Sequence, residues 1–222
     1  MALLRLFAMS CFVVVMVGTT IGGYLKAERA SVLDMVAPEF SVDDRGLTEA
    51  IRVLGGQYGL QFGIEIITEL GYVEPKVSVH AVNRTVRQII DNILAEAHFN
   101  QYRILHSFRR PSFVNIVIGK EPEHYEMYWL VDLESHCKYN AYNLIVRIPR
   151  LIPELKGQFL EDPRGGYIES LPEGSEGKID IERHRTPLRD LLDDIALKQA
   201  GLDWVVIYYR DAVAKSEWKA LF

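Results

Sequence analysis

Residues 47–62 read LTEAIRVLGGQYGLQF, and their spacing decides the fold class. Leu47, Ala50, Ile51, Leu54 and Tyr58 recur at helical intervals. Gly59 then ends the run, because glycine enters the left-handed conformation without a Cβ penalty. Gly55 and Gly56 inside the helix each cost about 1 kcal/mol relative to alanine. The pair either permits close packing against a sheet or marks a weak stretch of helix.

Outward from this helix the period changes. Upstream, 39–42 suits a short strand and 43–46 a turn, with Asp43 or Asp44 able to accept from the free N–H groups at the helix start. Downstream, 61–67 and 76–82 alternate as strands, the second with Val77, Val79 and Ala81 opposite Lys76, Ser78 and His80. A second helix is predicted over 84–97, with Val86, Ile89, Ile90, Ile93, Leu94 and Ala97 on one face. Segments 102–106 and 113–118 form a hairpin-like pair. The order strand, helix, strand, strand, helix, strand, strand gives an α+β fold with helices on one face of a small mixed sheet. This first module spans 38–120.

The acidic connector 121–126, EPEHYE, marks a boundary before a second α+β region at 127–222. There 127–133 and 143–148 suit strands, and RIPRLIP at 147–153, with two prolines, suits an extended piece. The Gly- and Pro-rich run 157–177 carries a turn at 162–165, and a loop of that length is functional or mobile. A strand–helix–strand unit follows at 178–209: strand 178–183, a Thr186–Pro187 helix start, a helix burying Leu188, Leu191, Leu192 and Ile195, and the strand DWVVIYY. A terminal helix is expected over 211–222. Residues 77–105 overlay 179–207 without a gap, bringing Arg87, Asp91 and Ile93 onto Arg189, Asp193 and Ile195. Two readings fit: an internal repeat, or two units of convergent pattern.

The chain of 222 residues is 49% hydrophobic with a formal net charge of −5. An acidic balance without a basic tract argues against a nucleic-acid binder. With Cys11 in the apolar N-terminus and Cys137 the other cysteine, no disulfide can close within the remainder. Arg5 precedes an uncharged run over 6–25 that Lys26 ends. Residues 1–30 therefore read as a cleaved signal peptide or a single membrane anchor, lying outside the globular part. Either reading exports the chain, to remain anchored in an inner membrane or to become soluble in the periplasm after cleavage.

Residues 40–118 resemble the short N-terminal domain of bacterial secretins and TonB-dependent transducers. The likeness is carried by LTEAIRVLGGQYGLQF, by KVSVHAVNRTVRQIIDNILAEAHFNQYRI and by VNIVIG. It covers about a third of the chain. It implies a periplasmic protein–protein interaction module rather than a catalyst. No barrel, plug or ring domain follows, so the partner is an unidentified envelope protein, of a secretion, pilus or transport-signalling assembly.

Chemistry is sparsely signalled. His80, His98, His106, His124, His136 and His184 are scattered outside any zinc spacing, and no metal or cofactor is expected. Ser170 and Ser175 lack a nucleophile elbow, and no phosphate-binding glycine loop occurs. No catalytic residue is assigned. Asp190, Asp193 and Asp194 read as the polar face of their helix. The candidates for an interaction surface are His80, Arg84 and Arg87, together with Arg183, Arg185 and Arg189. The alternatives are a periplasmic small-molecule, glycan or peptide binder using the aromatic segment 125–142, or an envelope enzyme with a cleft between the halves.

Overall fold

A computed structural model describes residues 31–69, 71–106, 110–123, 125–155, 177–209 and 217–221. The expected export segment 1–30, the expected loop from 157 through 176, Ser170, Ser175 and His124 lie outside the described residues. Among the described residues no helix is long and apolar enough to cross a membrane.

The fold is α+β. Strand β1 (Val36–Gly46) runs directly into helix α1 (Leu47–Tyr58), followed by β2 (Gln61–Thr68). Strand β3 (Lys76–Thr85) runs into α2 (Val86–Glu96), followed by the hairpin strands β4 (Tyr102–His106) and β5 (Phe113–Ile118). The second half repeats the plan: β6 (Leu130–Asn140) into α3 (Ala141–Leu151), β7 (Lys178–Pro187) into α4 (Leu188–Ala196), then β8 (Asp203–Tyr209) and β9 (Glu217–Leu221).

Local chemistry explains the boundaries. Gly59 takes φ 67° and donates to the Gly55 carbonyl, closing α1. Gly55 is the glycine that permits close packing, since a Cβ there would stand 2.7 Å from the Leu60 carbonyl oxygen, whereas one on Gly56 meets nothing within 4 Å. The expected turn at 43–46 is instead the end of an unbroken β1, with the irregularity absorbed by a bulge between Val42 and Arg45 and a positive φ at Asp44. Neither aspartate caps α1. The Glu74 carboxylate accepts from the Thr48 N–H, and the Pro75 carbonyl from the Leu47 N–H. Helix α2 starts two residues later than the pattern suggests. Thr85 and Gln88 form a reciprocal capping box there, satisfying two orphan donors at once.

Four expectations in the second half are corrected. Residues 143–148 are helical rather than extended: Asn140 Oδ1 accepts from Asn143 N–H at 2.8 Å, and Leu144, Ile145 and Ile148 share one buried face. The 147–153 segment continues that helix through Leu151, with Pro149 tolerated near its C-terminal end. Residues 217–221 form a strand on β8, not a helix. At α4, Thr186 and Pro187 end β7 rather than start the helix, and the Trp129 carbonyl takes the Leu188 N–H.

One five-stranded sheet, ordered β4-β5-β2-β8-β9, draws strands from both halves. Strand β2 pairs in parallel with β5 and with β8. Alternation along β2 sends Phe62, Ile64 and Ile66 to one face with α1, α2 and the β1/β3 ribbon, and Ile67 to the other with α3, α4 and the β6/β7 ribbon. Each half thus keeps its helices on one face, and the two halves take opposite faces of the shared sheet.

The halves are structural repeats. A 102-residue offset carries Lys76–Thr85 onto Lys178–Pro187, and Asn83 (φ 51°) onto Arg185 (φ 46°), two non-glycine residues in the left-handed region. A 94-residue offset carries β1 onto β6 and the 3-10 turn Val32–Asp34 onto Glu126–Tyr128. Both offsets together carry the Val86 N–H to Met35 carbonyl bond onto the Leu188 N–H to Trp129 carbonyl bond. Convergent amphipathic patterning does not reproduce such paired backbone details.

Candidate functional site

The repeats meet at a buried polar seam. Glu65, on the α4-facing side of β2, is fully buried. Its neighbours Ile64 and Ile66 face the opposite core, so the strand is covered on both sides and the carboxylate has no water to turn to. Arg189 of α4 donates to both Glu65 oxygens, through Nη2 at 2.8 Å and through Nε. Burial pushes the Glu65 carboxyl up, and the guanidinium pulls against that shift. Arg189 also reaches Glu121 at 3.3 Å and lies 4.8 Å over the Tyr128 ring. Glu121 in turn pairs with Arg103.

One helical turn on, Asp193 is 2% exposed. It accepts from Asn115 Nδ2 at 2.8 Å and from Trp204 Nε1 at 3.1 Å. Burial outweighs these donors and the nearby Arg110, raising its pKa to about 7. Arg110 binds Asp190 and Asp194 at 2.8 Å each, and Arg183 binds Asp194 at 2.7 Å. Gln61 Nε2 donates to the carbonyls of Ala196, Gln199 and Leu202, tying down the end of α4. Asp203 accepts the Phe62 N–H at 2.6 Å, and burial raises its pKa to about 7.

These groups are held by one another. Each arginine in the seam faces carboxylates within bonding distance, so the seam fixes how α4 seats on the sheet. Beside it a cavity of about 330 Å³ is lined by Arg52, Gly55, Gly56, Gln61, Ser112 and Asp203, among others. Among the described residues no group of three or more His, Cys, Asp or Glu is placed to hold a metal ion.

The six basic residues singled out from sequence do not form one surface. His80, Arg84 and Arg87 are exposed at the β3–α2 junction. Arg185 is exposed at the matching β7–α4 junction, and Arg183 is half-buried against Asp194. Arg189 is not a surface residue: it is 9% exposed and spent on Glu65. Asp193 likewise belongs to the interior rather than to a polar helix face. The acidic connector is also not simply solvated, since Glu126 is buried and Glu121 is paired. In the aromatic segment, Tyr125 and Tyr142 are core residues, and Tyr125 meets Tyr128 and Tyr208 edge-on rather than in one plane. Sequence reading missed Glu65 and Asn115, although a carboxylate inside the apolar run FGIEII is itself a demand for a buried cation.

Scans of protein-family models and of curated proteins find no match to this chain.

Proposed function

We propose that the chain is an exported, non-catalytic protein–protein interaction module of a bacterial envelope, anchored or released by its N-terminal segment. One observation carries the reading. The β1/β3 ribbon has two strands only among the described residues, and its outer edges take no further strand. On it Val36 and Val82 are 56% and 51% exposed beside His80, Arg84 and Arg87. An unpaired strand edge with apolar side chains and a basic rim suits addition of a partner strand. The resemblance of residues 40–118 to the secretin and transducer N-terminal domain supports the same role.

The test is photo-cross-linking in a bacterial cell, with the reactive group placed at His80, Arg84 or Arg87 of the full chain. Discrete adducts with envelope proteins are expected at these positions and not at Val73, an exposed control. A chain found in the cytosolic fraction, or adducts no more frequent than at Val73, would sink the proposal.

A second reading has its own support. The cavity beside Asp203 offers a buried carboxyl whose pKa stands near neutrality, in space for a small ligand. Screening small amines by thermal shift, with Asp203→Asn as the control, separates that reading from the first.

A further inference from the structure

The two repeats carry the same contact on helix and following strand. In repeat two, Trp204 of β8 donates to Asp193 of α4. In repeat one, Tyr102 of β4 donates to Asp91 of α2 at 2.7 Å, both residues displaced by the same 102 positions. Arg87 stands in α2 where Arg189 stands in α4. The surroundings differ. Beyond β8 lies β2, parallel, bringing Glu65 to Arg189. Beyond β4 no strand follows among the described residues. Arg87 is exposed and forms no ion pair with any described residue, and every residue of β4 is at least partly exposed, whereas β8 is almost wholly buried.

We infer that the open edge of β4, overhung by Arg87 and Asp91 of α2, accepts an extended strand of a partner protein that runs parallel to β4 and carries an acidic side chain. The inference rests on the interaction role proposed above and adds a second edge, distinct from that of the β1/β3 ribbon, with the chemistry of its partner. The internal pairing supplies the register. Gly63 lies opposite Trp204 and Glu65 opposite Val206, which correspond to Tyr102 and Ile104. A small residue therefore belongs opposite Tyr102, where the ring crosses the incoming backbone; a Cβ on Gly63 would stand 2.3 Å from the Trp204 ring. An acidic residue belongs opposite Ile104, on the side facing α2 and Arg87. Main-chain bonds along the edge provide affinity, and the carboxylate–guanidinium pair provides selection.

The probe is a synthetic peptide bearing the β2 sequence QFGIEIIT with glycine–lysine flanks, added to the full chain in detergent solution. Amide resonance changes are expected on Tyr102–His106 and the first turns of α2. Arg87→Glu should weaken binding about tenfold or more, and a peptide with lysine for its glutamate should recover the loss on that variant alone. N-methylation at alternate peptide nitrogens should abolish binding while leaving the protein untouched. No binding, equal binding to Arg87→Glu, or resonance changes on β5 and β8 in place of β4 would overturn the inference. Persistence of the cellular adducts at Arg84 and Arg87 in that case would remove this site and leave the interaction role standing. Loss of both would remove both.

Discussion

Helices α2 and α4 present the same side chains to opposite surroundings. The apolar face of α2, from Val86 to Leu94, is matched position by position in α4 from Leu188 to Ala196. Arg189 and Asp193 are sealed against β2, β5 and β8, while Arg87 faces water and Asp91 is half-exposed. The helix sequence therefore does not decide whether its charges are buried. What lies beyond the neighbouring edge strand does. The largest predicted effect tests that contrast. Arg189→Met leaves the Glu65 carboxylate buried without its partner and should cost about 3–5 kcal/mol. Arg87→Met should change stability by no more than about 0.5 kcal/mol. Urea unfolding of the two variants under one condition measures the difference, and equal losses would break the comparison.

Close approach at the seam between the repeats gives the next effect. A Cβ on Gly63 would stand 2.1 Å from Asn115 Oδ1 and 2.3 Å from the Trp204 ring. Neither neighbour is the free end of a flexible chain, since both are buried and both donate to Asp193. Gly63→Ala should cost about 1–3 kcal/mol through overpacking. Gly56→Ala, with open space around it, should instead stabilise by up to about 1 kcal/mol through helix propensity. A thermal melt of each variant reads both signs.

The seam also makes stability depend on pH. Asp203 moves from an ordinary 3.8 to about 7 on folding because burial disfavours its charge. Between those values the folded state holds a proton that the unfolded state has released. This contribution is fully present below about pH 4 and is lost as the pH rises through 7. Asp203→Asn keeps an oxygen for the Phe62 N–H and removes the titration. Relative to the parent, its stability should rise with pH between 4 and 8, by about 1 kcal/mol or more at the upper end. Unfolding curves at pH 4, 6 and 8 check it, and a constant difference across them would place the proton elsewhere.

The first repeat was legible in the sequence because its signals are local. Period 3.6 in 47–58 and 86–94, period 2 in 76–82 and the stop at Gly59 need no knowledge of neighbours. Helix α3 was hidden because Pro149 and Pro153 disguise a buried face made by Leu144, Ile145 and Ile148. The seam was hidden for a different reason. A charged residue on a helix flank looks solvated unless a strand from the other repeat is known to cover it. Two clues pointed inward: Glu65 in an otherwise apolar strand, and the identity of Arg87 and Asp91 with Arg189 and Asp193. Neither could show that β2, a strand of the first repeat, would pair with a strand of the second.

The smallest predicted effect concerns how the two strand-to-helix junctions are closed. At the first, Thr85 Oγ1 accepts from Gln88 N–H at 3.2 Å while the Gln88 side chain takes the Thr85 N–H at 3.0 Å. At the second, Pro187 occupies the same place and caps nothing with its side chain. Both junctions share the backbone bond that replaces part of a cap, from Val86 to Met35 and from Leu188 to Trp129. If that shared bond carries the turn and the capping box adds to it, Thr85→Ala should cost about 1 kcal/mol. Pro187→Ala should stay within about 0.5 kcal/mol, having no side-chain bond to lose. Hydrogen exchange at Gln88 N–H should quicken in Thr85→Ala, and the Val86 and Leu188 amides should keep their protection in both variants. Loss of Val86 protection in Thr85→Ala would mean that the side-chain cap, and not the backbone bond common to the repeats, holds the first junction closed.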